Sequence, residues 1–154
     1  MTVIVPEIIP PELKKYNTPI PRVGVALIVK NRDRCLLGKR LSEHCHGLWG
    51  FPGGHLEYGE EFEYCALREL REECGHDIKI SNPEFYTANN NFLPQEERHS
   101  ITIFMQAIYR SGNAITAEPE KCAGWQWHRW DDLPRPIMPG IYRLLNDGYN
   151  PFDW

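Results

Sequence analysis

Three glutamates in the middle of the chain are spaced so that they could bind a metal ion together. Glu69, Glu72 and Glu73 stand at positions i, i+3 and i+4, and on an α-helix this spacing places the three carboxylates on one face. Carboxylates at that spacing repel one another. A bound hard cation would balance this repulsion. Mg²⁺ prefers oxygen ligands and usually keeps several waters and substrate phosphate oxygens. The residues alone leave open a second interpretation, a solvated acidic face balanced by Arg68 and Arg71.

The segment around these glutamates follows a longer and more specific pattern. It reads G-x5-E-x7-R-E-U-x-E-E-x-G-U, where U is aliphatic, and its defined positions are Gly54, Glu60, Arg68, Glu69, Leu70, Glu72, Glu73 and Gly75. This pattern resembles the box of the Nudix hydrolase family, a loop–helix–loop that holds a divalent metal against a diphosphate. His76 departs from the pattern, which has an aliphatic residue at that position to pack the loop after the helix.

The resemblance implies which residues hold the metal. Glu72 and Glu73 correspond to metal ligands, and Glu69 is either a third ligand or the base that activates water. The carbonyl of Gly53 or Gly54 would add a ligand, and glycine suits a turn whose backbone must approach the metal closely. The expected cofactor is Mg²⁺, with Mn²⁺ as the expected substitute.

Further roles follow from the same resemblance. Arg68 would orient Glu69 through an ion pair, and Glu60 would brace the loop or hold an outer-shell water. The catalytic residues would be Arg68, Glu69 and Glu72. Mg²⁺ would neutralise phosphate charge and lower the pKa of a water that then attacks phosphorus after losing its proton to a carboxylate. The expected reaction is cleavage of a nucleoside diphosphate linked to a group X.

Outside the box, the resemblance covers residues 22–130 and extends to the MutT-like nucleoside-triphosphate diphosphatases. That branch includes enzymes that act on dCTP or CTP and on oxidised or thiopurine guanine nucleotides. It implies conversion of a nucleoside triphosphate to the monophosphate and pyrophosphate, for cleansing or balancing the nucleotide pool. The segments that carry the resemblance are LLGKR at 36–40, WGFPGGHLE at 49–57, EPEK at 118–121, WQW at 125–127 and GYNPF at 148–152.

Five residues are candidates for binding substrate by the same resemblance: Arg40, Phe51, Gly54, His55 and Thr102. Arg40 resembles a substrate-contacting arginine, and a strand-end charge in solvent is an equal alternative. His55 follows Gly54, where relatives often have a residue near the phosphates, and a surface histidine is again an equal alternative. By position in the resemblance, Phe51 and Thr102 would wall the base pocket.

A further acidic residue is expected downstream of the box. MutT-like enzymes have an extra metal ligand or base there, and Glu120 is the first choice, with Glu118 competing for the role. Whether Glu69 or Glu120 is the general base is left open. Two other functions are also left open: hydrolysis of another diphosphate such as a nucleotide sugar, and a non-catalytic binding module. The four box carboxylates disfavour the module.

Composition sets the outer limits on function. The chain has 154 residues, a net charge of −4 and a pI near 5.9, which argue against coating nucleic acid by charge. No apolar run is long enough to span a membrane, and five cysteines without a Cys-x-x-Cys pair indicate a reducing, cytoplasmic setting. The expected partner is a small nucleotide, with no nucleic acid and no membrane. Relatives of this branch are commonly homodimers.

Hydrophobic patterning predicts the elements that position these residues. Strands are expected at 23–29, 35–40, 48–51, 78–80, 85–90, 99–109 and 125–130, and helices at 60–74 and 137–145. A Pro-Gly-Gly turn would follow the third strand, and Gly75 would end the first helix. This order predicts an α/β (α+β) fold, a Nudix-type α/β/α sandwich with a mixed β-sheet. A proline-rich arm, 1–21, would precede a single domain, 22–154, and could make the dimer contact.

Overall fold

The computed structural model describes residues 20–153, so the predicted arm lies almost entirely outside the described residues. Two short 3₁₀ turns, Pro94–Glu96 and Trp130–Asp132, interrupt the regular elements. The strands and helices of the described chain are β1 (Arg22–Asn31), β2 (Arg34–Arg40), β3 (Trp49–Gly50), β4 (Gly53–His55), α1 (Phe62–Cys74), β5 (Lys79–Ile80), β6 (Glu84–Leu93), β7 (Arg98–Ser111), β8 (Cys122–Arg129) and α2 (Pro139–Asn146).

The strands form one mixed sheet built around β1 and β7. These two strands run parallel, with Arg22 opposite Ser100 and Lys30 opposite Ile108. All other pairings are antiparallel: β1 with β2 and β4, β2 with β3 and β8, and β7 with β5 and β6. Because β4 pairs with the first half of β1, the glycine segment before the acidic helix lies in the sheet beside the centre of the fold.

The two helices cover opposite faces of this sheet. Alternate residues of a strand point to opposite faces, so Val25 and Leu27 pack with α1 while Ile28 and Phe104 pack with α2. The apolar residues contributed by α1 are Cys65, Ala66, Leu70 and Cys74, and those contributed by α2 are Ile141 and Leu144. The predicted α/β/α sandwich with a mixed sheet is confirmed.

The structure corrects the sequence prediction at the glycine turn and at two helix starts. Gly53 and Gly54 belong to β4 rather than to a turn, because the backbone of β1 passes so close that a Cβ at Gly53 would overlap the carbonyl oxygen of Val25. Helix α1 begins at Phe62, and α2 begins at Pro139, whose fixed φ suits a first helical position. Neither helix is long and apolar enough to cross a membrane.

Helix α1 ends where the sequence predicted. Gly75 has φ +82°, and its N–H donates to the carbonyl oxygen of Arg71 at 3.0 Å. A side chain there would be strained by the positive φ. The stop fixes the length of the helix and so the position of Glu73, two residues earlier, above β4.

Candidate active site

Arg68 is the centre of a charge network between α1 and the loop before it. Its Nε and Nη2 donate to the two carboxylate oxygens of Glu60 at 2.6 and 2.9 Å, and Nη2 also donates to the carbonyl oxygen of His55 at 3.2 Å. Only 5% of the Glu60 side chain is exposed, and Arg68 lowers the pKa of this carboxyl to about 2. The Glu57 N–H completes the contact at 3.0 Å. These hydrogen bonds join the loop to α1 through Arg68 and Glu60.

Glu69 lies between Arg68 and the backbone of β4. Arg68 Nη1 donates to Glu69 Oε1 at 2.9 Å, which is the predicted orienting ion pair. Gly54 packs so closely on the carboxylate that a Cβ there would overlap it. Burial raises the pKa of Glu69, and Arg68 opposes this shift. Glu72 is different, because its side chain is 51% exposed and its oxygens are 3.4 Å from Arg68 Nη1.

Glu73 is a half-buried carboxylate of the box that contacts β4. Its Oε2 accepts a hydrogen bond from the Gly53 N–H at 3.1 Å, and Trp125 Nε1 donates to its backbone carbonyl at 3.1 Å. Burial raises the pKa of Glu73 to about 8, while Arg40 acts in the opposite direction. Within the described part of the chain, Glu73 has no ion pair within 4.0 Å. A buried carboxylate of this kind is costly unless a cation balances it.

The donor set fits a hard divalent cation. The side chains of Glu69, Glu72 and Glu73 offer only oxygen atoms, which suit Mg²⁺ or Mn²⁺ rather than zinc. Among residues 20–153, no three His, Cys, Asp or Glu side chains are arranged to hold a metal ion by themselves. Mg²⁺ does not need such a cage, since it commonly binds one or two carboxylates together with substrate phosphates and water. The individual ligands, including the Gly53 carbonyl, remain predictions.

Downstream of the box, the structure places Glu118 rather than Glu120 nearer the other carboxylates. The charge of Glu118 contributes to the raised pKa of both Glu69 and Glu73. Its backbone carbonyl accepts the N–H groups of Lys121 and Cys122 at 2.9 and 3.1 Å, which closes a tight turn. Glu120 is exposed on the outside of this turn. Spacing alone could not show which of the two carboxylates the turn would direct inward.

Arg40 and His55 lie at the same end of the sheet. Arg40 ends β2, and its Nη2 and Nε donate to Ser42 Oγ at 3.0 Å and to the His44 carbonyl at 3.3 Å. The charge of Arg40 also lowers the pKa of Glu73, and its contact with substrate remains a prediction. Burial lowers the pKa of His55, and neighbouring arginines add to the effect.

Phe51 and Thr102 lie on the α2 side of the sheet, across β4 from the carboxylates. Phe51 contacts Phe104 edge-to-face at 6.3 Å between ring centres. Thr102 Oγ1 accepts from Asn91 Nδ2 at 3.4 Å, and Asn89 Nδ2 donates to the Gly140 carbonyl at 2.9 Å. An open groove of about 320 Å³ runs alongside, between β6 and α2.

The two asparagines on this side were missed from the sequence. Their signal is a run of three amides, Asn89, Asn90 and Asn91, within a predicted strand. Strands are poor in asparagine, so such a run favours a functional surface. The pairing with Thr102, eleven residues away from Asn91, could not be seen without the register of β6 on β7.

Comparison with known proteins gives consistent relatives. A family model described as "NUDIX domain" matches residues 19–147. The chain is 35% identical over 130 residues to "NAD-capped RNA hydrolase NudC" of Shigella flexneri, and 34% identical to the protein of that name from Escherichia coli (strain K12 / DH10B). Each alignment covers 82% of this chain and 48% of the relative. The chain thus spans about half the length of these curated relatives.

Solved structures agree on the fold. The MutT NUDIX hydrolase from Burkholderia pseudomallei superposes with a TM-score of 0.77 and 27% identity, covering 85% of this chain and 100% of that one. The NUDIX domain of Shewanella oneidensis NrtR, complexed with ADP ribose, superposes with a TM-score of 0.68 at 19% identity over 87% of this chain and 92% of that one. At that identity, the second likeness concerns the fold alone.

Proposed function

Because this chain belongs to the Nudix family, we propose that it hydrolyses a phosphoric anhydride bond in a nucleoside diphosphate linked to a group X. The observation that carries the proposal is the position of Glu73, a buried carboxylate held against the Gly53 N–H at 3.1 Å. Beside it, Arg68 ties Glu69 to the same strand. This arrangement sets two half-buried carboxylates, those of Glu69 and Glu73, against a backbone where only glycine leaves enough room.

The residues of the chain divide the work between positioning and proton transfer. Glu60 and Arg68 fix the loop and orient Glu69, whose second oxygen remains to accept a proton from attacking water. Glu72 and Glu73 would hold a divalent cation together with Glu69 and the Gly53 carbonyl. When bound, that cation supplies charge neutralisation for the phosphate oxygens and activation of water.

The favoured substrate is a nucleoside triphosphate, cleaved to the monophosphate and pyrophosphate. The support is the resemblance of residues 36–40 and 49–57 to the MutT-like branch, together with the position of Arg40. Its guanidinium lies at the end of β2, and its charge lowers the pKa of Glu73. From this position beside the box it can bind phosphate oxygens. Phe51 and Thr102 would contact the base from the α2 side.

A second candidate substrate is a dinucleotide of the NAD type, free or as the cap of an RNA. Its support is the name of the relatives at 34–35% identity, which are NAD-capped RNA hydrolases. This candidate revises the expectation that no nucleic acid is a partner, because capped RNA would enter as a substrate. Both candidates use the same box residues and differ in X.

A panel of substrates with Mg²⁺ separates these functions. Release of pyrophosphate from nucleoside triphosphates supports the first candidate. Release of nucleoside monophosphates from NAD or capped RNA supports the second, and products from nucleotide sugars would indicate another X. No turnover of any of them would overturn the hydrolase proposal and leave the non-catalytic module. Sedimentation of the same sample tests the homodimer, which remains a prediction.

A further inference from the structure

A positively charged surface lies on the side of β4 opposite the carboxylates. Directly paired residues of neighbouring strands share a face of the sheet. The register pairs His55 with Gly24 in β1, and it pairs Arg22 with Ser100 in β7. Since Arg22 lies two residues before Gly24, and Arg98 two residues before Ser100, the side chains of Arg22, Arg98 and His55 share one face.

Arg22 and Arg98 are close enough to bind one anion together. With about 4.8 Å between strands and about 3.3 Å per residue, their Cα atoms lie about 8 Å apart. Both residues are exposed, and among the described residues neither has a carboxylate within 4.0 Å. The nearby Glu96 lies 3.7 Å from His44 instead. Two guanidinium groups therefore face solvent at the end of the sheet without an ion pair in the described chain.

The charge of a third arginine, Arg40, also reaches His55. The guanidinium of Arg40 donates to Ser42 Oγ and to the His44 carbonyl oxygen. These two hydrogen bonds hold it at this end of the sheet. The pKa of His55 is lowered by burial first, and then by the charges of Arg22, Arg98 and Arg40. The positive surface thus begins at the residue that directly follows Gly54. Strand β4 therefore has the carboxylates of the box on one side and the guanidinium groups of Arg22 and Arg98 on the other.

We propose that Arg22 and Arg98 bind a phosphate group of the substrate other than the two that flank the hydrolysed bond. The inference rests on the proposed function, because the scissile diphosphate is assigned to the box and Arg40. A guanidinium matches phosphate geometry with paired hydrogen bonds. Such a phosphate has two sources: the terminal phosphate of a nucleoside triphosphate, or the first phosphodiester of a capped oligonucleotide. NAD and ADP-ribose have neither.

Steady-state kinetics identify the source. R22Q and R98Q are compared with R110Q, which removes an exposed arginine at the far end of the same strand as Arg98. We expect R22Q and R98Q to raise KM about tenfold for a triphosphate or for an NAD-capped oligonucleotide. The KM for NAD and ADP-ribose, and every KM of R110Q, should stay within about twofold. An equal rise for all substrates, or no rise for any, overturns the proposal.

Binding in EDTA separates this inference from the proposed function. Inorganic tripolyphosphate is titrated into wild type and the three variants by calorimetry, without metal and without turnover. We expect R22Q and R98Q to weaken binding about tenfold and R110Q to leave it unchanged. Arginine-dependent binding by a protein that hydrolyses nothing would keep the subsite and reject the hydrolase. Turnover with no binding, or with binding indifferent to both arginines, would keep the hydrolase and reject the subsite.

Discussion

The two sides of β4 contrast in how their residues are brought together. On the α1 side, Glu60, Arg68, Glu69 and Glu73 come from one stretch of fourteen residues, and direct hydrogen bonds join them to each other or to β4. On the α2 side, the polar residues come from four strands, β1, β4, β6 and β7, and meet only through sheet register. On the function proposed above, the first side would carry the chemical step and the second would select the substrate.

The largest expected effect is on the α1 side. Glu69→Gln should lower kcat by about 10²–10⁴-fold with little change in KM, because the proton acceptor is lost while the shape is kept. Stopped assays of product release measure the loss, and the thermal unfolding curve checks the fold. A variant with near-normal kcat would show that Glu69 only positions its neighbours, and would move the general base elsewhere.

Removing the central guanidinium should damage both activity and stability. Arg68→Gln leaves the buried Glu60 carboxylate without its partner, and breaking a buried pair costs about 3–5 kcal/mol. Arg71→Gln is the matched control, since Arg71 is exposed on the same helix and has no ion pair within 4.0 Å in the described chain. Urea unfolding measures both variants. Equal stabilities would mean that the Arg68–Glu60 contact contributes little to holding the loop.

The downstream carboxylates offer a direct test of sequence against structure. Glu118→Gln should lower kcat by about tenfold or more because its charge acts on Glu69 and Glu73. Glu120→Gln should change kcat less than about twofold, since the residue is exposed on the turn. The reverse order of effects would restore the sequence-based choice of Glu120.

A smaller effect, on selectivity, is expected from the α2 side. Asn89→Ala removes the amide that donates to the Gly140 carbonyl and should raise KM about tenfold, at nearly constant kcat. The change should differ between triphosphates with different bases. Asn113→Ala, on the exposed loop after β7, is the control. A loss of kcat alike for all substrates would assign Asn89 to the chemical step and weaken the contrast between the two sides.

The same contrast explains what the sequence could predict. Helical spacing predicted α1 and Gly75 predicted its end, whereas the pairing of Arg68 with Glu69 was implied by the family resemblance. The position of Gly53 and Gly54 in β4 depends on pairing with residues of β1 that lie 27 to 31 positions away in the sequence. The Thr102–Asn91 contact depends on the register of β6 on β7. Neither is visible in local patterning. Which of Glu118 and Glu120 approaches the box likewise depends on local turn geometry.

Replacing Glu73 should raise stability, whereas the replacements above lower activity or stability. Its pKa in the folded chain is about 8 against an ordinary 4.5, so between these values the folded state binds more protons than the unfolded state. The free energy of unfolding therefore falls as pH rises through that window. In EDTA at pH 7.5, Glu73→Gln should therefore be more stable than wild type by about 1–2 kcal/mol. The measurement is a higher unfolding temperature.

Mg²⁺ should reverse this order. A cation that binds the folded chain raises its stability by mass action, so millimolar Mg²⁺ should stabilise wild type and leave Glu73→Gln nearly unchanged. Asp77→Asn, an exposed carboxylate beyond α1, should respond to Mg²⁺ as wild type does. If Glu73→Gln gained as much from Mg²⁺ as wild type, Glu73 would not be a metal ligand. Its burial would then serve only to hold β4 against α1, and the cation would depend on Glu69 and Glu72.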